Sequence, residues 1–165
     1  MEGYFKQCFG IEKTIWIAGE RGRDITDDHI DALARFTAPD TVVVSRPFSQ
    51  HPGDRRSYDA LRAVLAKETD AKGRAFKTVD IQEPDPAIVL GKNYAPETGP
   101  SLAYVNFHIV NGAVIVSALG DAESDANAAK VIGENFPGRE IVQVPIHQLA
   151  AQGGGIHCST QQIPA

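Results

Sequence analysis

The feature that most constrains this chain is an order of elements that occurs twice. In the first stretch, residues 29–36 (HIDALARF) lead through a Pro39-Asp40 turn into the apolar run TVVVS. After Pro52-Gly53, the residues Tyr58, Leu61, Val64 and Leu65 recur at spacings of three and four, which predicts a helix near 54–69. Residues 75–81 read as a strand. In the second stretch, residues 103–110 (AYVNFHIV) are β-rich, and Asn111-Gly112 is a favoured two-residue hairpin turn because both positions tolerate positive φ. Residues 113–118 (AVIVSA) return. A helix is predicted over 121–135, carrying Ala126, Ala129, Val131 and Ile132 and stopped by Phe136-Pro137-Gly138. Residues 140–144 form a closing strand. The turns at Asp40 and Gly112 lie 72 residues apart. Strand, tight turn, strand, helix, strand in both stretches reads as an internal ββαβ repeat. The expectation is an α/β fold in one domain over 1–165, with units at about 15–81 and 100–145 and a third begun at Gly153.

Two pieces of the first stretch need separate statement. Residues 15–18 (IWIA) read as a short buried strand. Residues 29–36 admit two readings. As a helix start, Thr26 or Asp27 would cap; as a strand, His29, Asp31, Leu33 and Arg35 share one face.

Bulk properties exclude several classes. The 165 residues, 42% hydrophobic and 22% charged, suit one compact globular domain and argue against disorder. A net charge of −5 argues against non-specific nucleic-acid binding, which needs a basic surface, and is compatible with a cationic small substrate. The two cysteines, Cys8 and Cys158, could form one disulfide but make no disulfide framework. No apolar run approaches the roughly 20 residues of a membrane span. The start, MEGYFKQCFGIEK, lacks a secretory pattern, so a cytoplasmic protein without membrane contact is expected.

The tail GGGIHCSTQQIP is the most informative segment. Gly153, Gly154 and Gly155 allow backbone conformations and close approaches closed to other residues. Cys158 follows, and a cysteine is a nucleophile only as thiolate, which needs nearby positive charge or donors; a cationic substrate would supply part of it. The plainer reading is an inert cysteine in a Gly-rich turn. In DITDDHIDALARF, an extended backbone would project His29 and Asp31 to one face, an acid/base imidazole beside a cation-binding carboxylate. The plainer reading there is an acidic loop with a surface histidine. His51 reads as solvent-exposed, His108 as a core or surface strand residue, and His147 as part of a last helical turn or loop. A zinc site pooling Cys158, His157, His29 and Asp31 lacks CxxC or HxxxH spacing, so no metal is assigned. His157 and Cys158 are adjacent, and in an extended chain they would point apart, which counts against both serving one substrate.

These segments resemble a known family. GGGIHCSTQQIP resembles the cysteine motif of agmatine deiminases and of the related bacterial (Porphyromonas-type) peptidyl-arginine deiminases. DITDDHIDALARF resembles their histidine-aspartate motif, and residues 103–144 resemble the segment between. The resemblance runs from about Gly10 onward, matches the C-terminal half of family members, and leans towards agmatine deiminase through its QQ-P ending. It implies a pentein-type propeller of five ββαβ units, of which this chain would form about half. It implies that Cys158 attacks a guanidinium carbon, that His29 moves protons, and that Asp31 holds the guanidinium. It implies no metal and no organic cofactor. Asn106, Gly154 and Gly155 would help bind substrate, which would be agmatine or a peptidyl arginine side chain.

The chain also departs from the family pattern. Members are roughly twice its length, and their N-terminal half brings further acidic residues to the site. Asp28 stands where glycine usually precedes the histidine. An incomplete ring would expose strand edges, so the chain is expected to be a fragment, to receive its missing units from a second chain, or to self-associate. A non-catalytic relic or binding module of the same fold is the rival from another class.

Overall fold

The computed structural model describes residues 1–22, 27–50, 52–91 and 102–163. The Thr26 cap, the exposure of His51 and the start of the second unit at residue 100 therefore lie outside the described residues.

The chain begins with α1 (Glu2–Phe9), which ends at Gly10 with φ 68°. No strand follows at 15–18; this stretch has no regular structure and Trp16 is exposed. The run is short, and its aromatic ring is occupied locally: Trp16 Nε1 donates to Glu2 Oε1 at 2.7 Å, and the ring lies 6.5 Å from that of Phe5.

The two readings of residues 29–36 each hold for part of the segment. His29 is the extended N-cap of a one-turn helix, α2 (Ile30–Leu33), and the chain then straightens into β1 (Ala34–Ala38). β1 pairs antiparallel with β2 (Thr41–Arg46) across the Pro39-Asp40 turn, with Ala38 opposite Thr41. α3 (Pro52–Leu65) crosses over, and β3 (Lys77–Gln82) lies parallel to β2. After the short α4 (Pro86–Val89), the order recurs. β4 (His108–Val110) pairs antiparallel with β5 (Ala113–Ala118), α5 (Ala122–Asn135) crosses over, and β6 (Glu140–Pro145) lies parallel to β5. Among the described residues the strands form two three-stranded sheets of the same topology. The crossover helices follow from the parallel pairs, which no tight turn can connect.

The β4 strand is shorter than its β-rich stretch, because residues 102–107 pack as a buried irregular segment. The Asn111-Gly112 hairpin forms, but only Gly112 takes positive φ, 81°. The turn is therefore not the doubly left-handed type that Asn-Gly favours.

β2 explains how the core is divided. Val42, Val43 and Val44 are all buried, and neighbouring strand residues point to opposite faces. Val42 and Val44 pack with Tyr58, Leu61 and Leu65 of α3. Val43 joins the larger core with Val114, Val116, Ala128 and Ile132. The continuous apolar strand is thus covered on both faces. α5 starts at Asp121, whose carboxylate accepts from Ser124 N, with Glu123 and Asp125 in its first turn; both features suit a helix N-terminus. Beyond β6, α6 (His147–Ala150) leads into the glycine segment and a single 3-10 turn, His157–Ser159.

Candidate active site

Five segments converge on one narrow cavity: the cap and first turn of α2, the irregular segment before β4, the end of β5, the end of β6, and the glycine tail. It is lined by His29, Asp31, Asn106, Gly153, Gly155 and Cys158, with apolar walls from residues such as Ala103 and Leu119. Residues more than 120 positions apart in sequence meet here. Cys158 Sγ lies 3.4 Å from Asp31 Oδ2.

Asn106 organises the site. It is 4% exposed, and a buried amide must find partners for both of its ends. Its Oδ1 accepts from His157 N at 2.9 Å and Cys158 N at 3.4 Å. That fixes which end is oxygen, so Nδ2 points the other way. Nδ2 donates to Cys158 Sγ at 3.2 Å and to the main-chain oxygen of Asp31 at 3.2 Å. One side chain therefore ties the histidine-aspartate segment to the cysteine turn and places a donor on the sulfur.

Each glycine of the tail has a different status. Gly153 takes φ 83°, the left-handed region. Gly155 is needed for space, because a Cβ there would lie 2.1 Å from Asn106 Oδ1. Gly154 does not line the cavity; a Cβ there would meet nothing closer than Ser159 Oγ at 3.7 Å.

His157 and Cys158 do not point apart, which corrects the expectation from strand alternation. They sit on a 3-10 turn, where successive side chains are rotated by about 120° rather than 180°. His157 Nδ1 lies 2.6 Å from Asp31 Oδ2, the oxygen nearest the cysteine. An ionised carboxylate only accepts, so Nδ1 carries the proton. Burial pushes the Asp31 carboxyl up, but hydrogen bonds from His157, Cys158 and Asn106 and the charge of the imidazole outweigh it. Asp31 titrates below its ordinary 3.8 and is ionised at neutral pH.

His29 is exposed and lines the same cavity as Asp31 and Cys158. Before it, Asp27 and Asp28 both take positive φ, 59° and 70°. Asp28 is buried and accepts from Ser57 Oγ at 2.5 Å. The left-handed backbone at this point is where glycine costs least, and aspartate is among the few other residues that tolerate it. Cys8 and Cys158 are both free, so no disulfide joins them. Among the described residues no cluster of three or more His, Cys, Asp or Glu side chains could hold a metal, and no helix is long and apolar enough to cross a membrane.

Sequence reasoning missed two groups. His157 was set aside by the strand rule. Arg35 was given no role, yet its guanidinium is partly buried close enough to feel the charges of Asp31 and Cys158. The signal for it in the sequence was its place on the face that His29 and Asp31 share in the strand reading.

The chain is similar to known proteins over nearly its whole length. The family model described as Porphyromonas-type peptidyl-arginine deiminase matches residues 1–164. The chain is 33% identical over 180 aligned residues to agmatine deiminase of Medicago truncatula, covering all of this chain and 48% of that protein. Among solved structures, agmatine deiminase of Enterococcus faecalis superposes with a TM-score of 0.82 at 30% identity, covering 99% of this chain and 47% of that one. A cysteine-to-serine variant of C. jejuni agmatine deiminase with substrate bound gives 0.77 at 27% identity, covering 96% and 44%. The chain thus spans about half the length of the relatives it matches. It has the α/β fold of these deiminases, and it belongs to the Porphyromonas-type peptidyl-arginine deiminase family.

Proposed function

We propose that this chain carries the nucleophile side of a guanidine deiminase active site, with agmatine as substrate and N-carbamoylputrescine and ammonia as products. One observation carries the reading: a cysteine sulfur 3.4 Å from an ionised, partly buried carboxylate, with a buried amide donating to the sulfur, in a cavity that His29 also lines. A carboxylate beside a sulfur nucleophile is the arrangement for holding a planar cation with its carbon against the thiolate. Asp31 pairs with two guanidinium N–H groups through charge-assisted bonds. Cys158 attacks the central carbon and forms a tetrahedral adduct. His29 protonates the departing nitrogen, which leaves as ammonia, and an amidino-thioether remains. His29 then takes a proton from water as it adds to that carbon, and collapse releases the ureido product and the thiolate. The scheme balances as guanidine plus water giving urea derivative plus ammonia, and needs no metal or organic cofactor. Asn106 and Gly155 bound the substrate position, and Gly154 acts only through Cys158. The relatives named agmatine deiminase, one of them a cysteine-to-serine variant holding substrate, support this reading.

The family description also names peptidyl arginine, and a peptide substrate is the alternative within the class. Ammonia release from agmatine, from an arginine-containing peptide, and from agmatine with Cys158→Ser decides. Agmatine turnover that is lost in Cys158→Ser supports the proposal. Turnover in both forms removes Cys158 as nucleophile, and no turnover at any chain concentration favours a non-catalytic member.

The site is also open to completion by further units of the same kind. In the first sheet, Thr78 and Asp80 of β3 face their own helix, meeting Arg62 and Tyr58 of α3, while Val79 and Ile81 face the next unit, whose α5 packs on β3. The strand registers match Val79 to Val142 and Ile81 to Val144. Gln143 of β6 bonds to its own helix at Asp125 O, but Val142 and Val144 are 37% and 38% exposed. By this equivalence the outer face of β6 takes an amphipathic helix from another ββαβ unit. The half-length coverage of the relatives points the same way.

A further inference from the structure

The registers of the two sheets expose a correspondence that the site does not yet explain. Arg35 lies opposite Val43, and His108 lies opposite Ile115. Counted from each hairpin turn, Val43 and Ile115 are the same position of their strands, so Arg35 and His108 are equivalent. Their separations from their partners differ by one residue because β1 has a register shift between Phe36 and Ala38, where Thr37 is the extra residue of a bulge.

Both equivalent residues make the same kind of contact: each reaches out of its own unit into the next one along the chain. Arg35 Nη1 donates to Phe107 O at 3.0 Å, and its guanidinium lies 5.1 Å above the Phe107 ring. That ring is fully buried and held edge-on by Phe136 at 5.4 Å. His108 Nδ1 lies 3.0 Å from Thr160 Oγ1 in the cysteine tail. Thr160 Oγ1 also donates to His157 O at 3.0 Å. A hydroxyl has one proton to give, so Thr160 accepts from His108, and Nδ1 of His108 carries the hydrogen. The two contacts join end to end. Arg35, four residues after Asp31, grips the residue after Asn106; His108, two residues after Asn106, grips the residue two after Cys158.

We propose that Arg35 and His108 are paired positioning residues that set Asp31, Asn106 and Cys158 at their working separations. Arg35 has a second consequence. It places a positive charge close enough to interact with both a carboxylate and a sulfur that lie 3.4 Å apart, and two negative groups that close repel unless a cation offsets them. Burial draws the Arg35 guanidinium down from its ordinary value, and the charges of Asp31 and Cys158 oppose that draw. A guanidinium that titrates far above neutrality stays charged there.

The inference rests on the reading of Cys158 as nucleophile, so the test separates the two. In a Cys8→Ser background, the rate of Cys158 alkylation by iodoacetamide is followed across about pH 5 to 10, with thermal melting as the check on folding. Arg35→Met should raise the alkylation midpoint and slow the reaction at neutral pH about tenfold, the direction expected when a nearby positive charge is lost. Arg35→Lys keeps the charge but not the planar fork, and should keep the midpoint while changing the rate. His108→Leu should change the rate with the midpoint in place. A merely structural role would shift melting without changing the alkylation rate of the folded variant. Should Arg35→Met not fold, Arg35→Lys and His108→Leu carry the decision. Parental rates in the folded variants overturn the proposal. Ammonia release is measured beside alkylation. Altered profiles without any parental turnover sink the deiminase reading and keep the positioning pair; parental turnover with unaltered profiles does the reverse.

Discussion

Gly155→Ala is the sharpest test of how the cysteine turn is built. The added Cβ would stand 2.1 Å from Asn106 Oδ1, 2.5 Å from its Cγ and 2.9 Å from its Cβ. The clash falls on the root of the amide as well as its tip, so a rotamer change does not relieve it. Restoring ordinary contact needs a shift of more than about 1 Å. Asn106 is held by bonds of 2.9 Å to His157 N and 3.2 Å to both Cys158 Sγ and Asp31 O, and a shift of that size breaks all three. At about 1 kcal/mol each, the cost is about 3 kcal/mol, or a fall in Tm of roughly 6–12 °C for a domain of this size. The sulfur also loses its donor, and misplacement by about 1 Å can cost on the order of 100-fold in rate. The neighbouring glycine supplies the control. A Cβ at Gly154 meets nothing nearer than 3.7 Å, so Gly154→Ala should melt within about 1 kcal/mol of the parent and keep Cys158 reactivity. The assay is melting by circular dichroism together with Cys158 alkylation. Equal behaviour of the two alanine variants would show that Asn106 does not organise this turn.

Other expectations are as concrete. Tyr104→Phe removes a buried hydroxyl that donates to Asp125 Oδ1 at 2.7 Å, in a place where burial and that carboxylate push the phenol well above its ordinary range; a loss of about 1 kcal/mol by urea unfolding is expected, and no loss refutes the bond's weight. Asp31 titrates below 3.8 when folded, so its contribution to stability is complete above about pH 4 and drains as pH falls through the folded value. Asp31→Asn should therefore flatten the acid limb of the stability profile, and it should weaken agmatine binding most among the site variants, since it removes the charge paired with the substrate; unchanged affinity by calorimetry contradicts that role. Val142→Glu together with Val144→Glu should lower the native mass of any assembly in sedimentation without changing the melting of the chain, and an unaltered mass would remove the β6 face as the docking surface.

The parts of the fold that sequence showed were those where local and global preferences agree. TVVVS has too many consecutive β-branched residues for anything but a strand, and its unbroken burial follows from cores on both faces. Tyr58, Leu61 and Leu65 mark the buried stripe of α3. The failures have physical reasons too. IWIA has the composition of a strand but no sheet partner, so its apolar run stays irregular, with Trp16 hydrogen-bonded to α1. Residues 102–107 are β-rich yet pack as an irregular buried segment, because Asn106 must turn both ends of its amide to partners far along the chain.

The site was legible as a set of residues and opaque as a geometry. The cysteine tail and the His29–Asp31 pair could be singled out because their residue types carry chemistry. Their convergence could not be derived, since it depends on contacts spanning 126 and 127 positions. The strand rule failed at His157 because alternation is a property of extended backbone, and three successive glycines are what release a chain from it. Once the tail turns, the residue before Cys158 is brought to the carboxylate that Cys158 also meets. On the proposed chemistry this gives His157 a place in substrate entry. A guanidinium that pairs with Asp31 Oδ2 must take over the position that His157 Nδ1 holds at 2.6 Å, so substrate binding at this oxygen is an exchange of one hydrogen-bond donor for another rather than the filling of an empty seat.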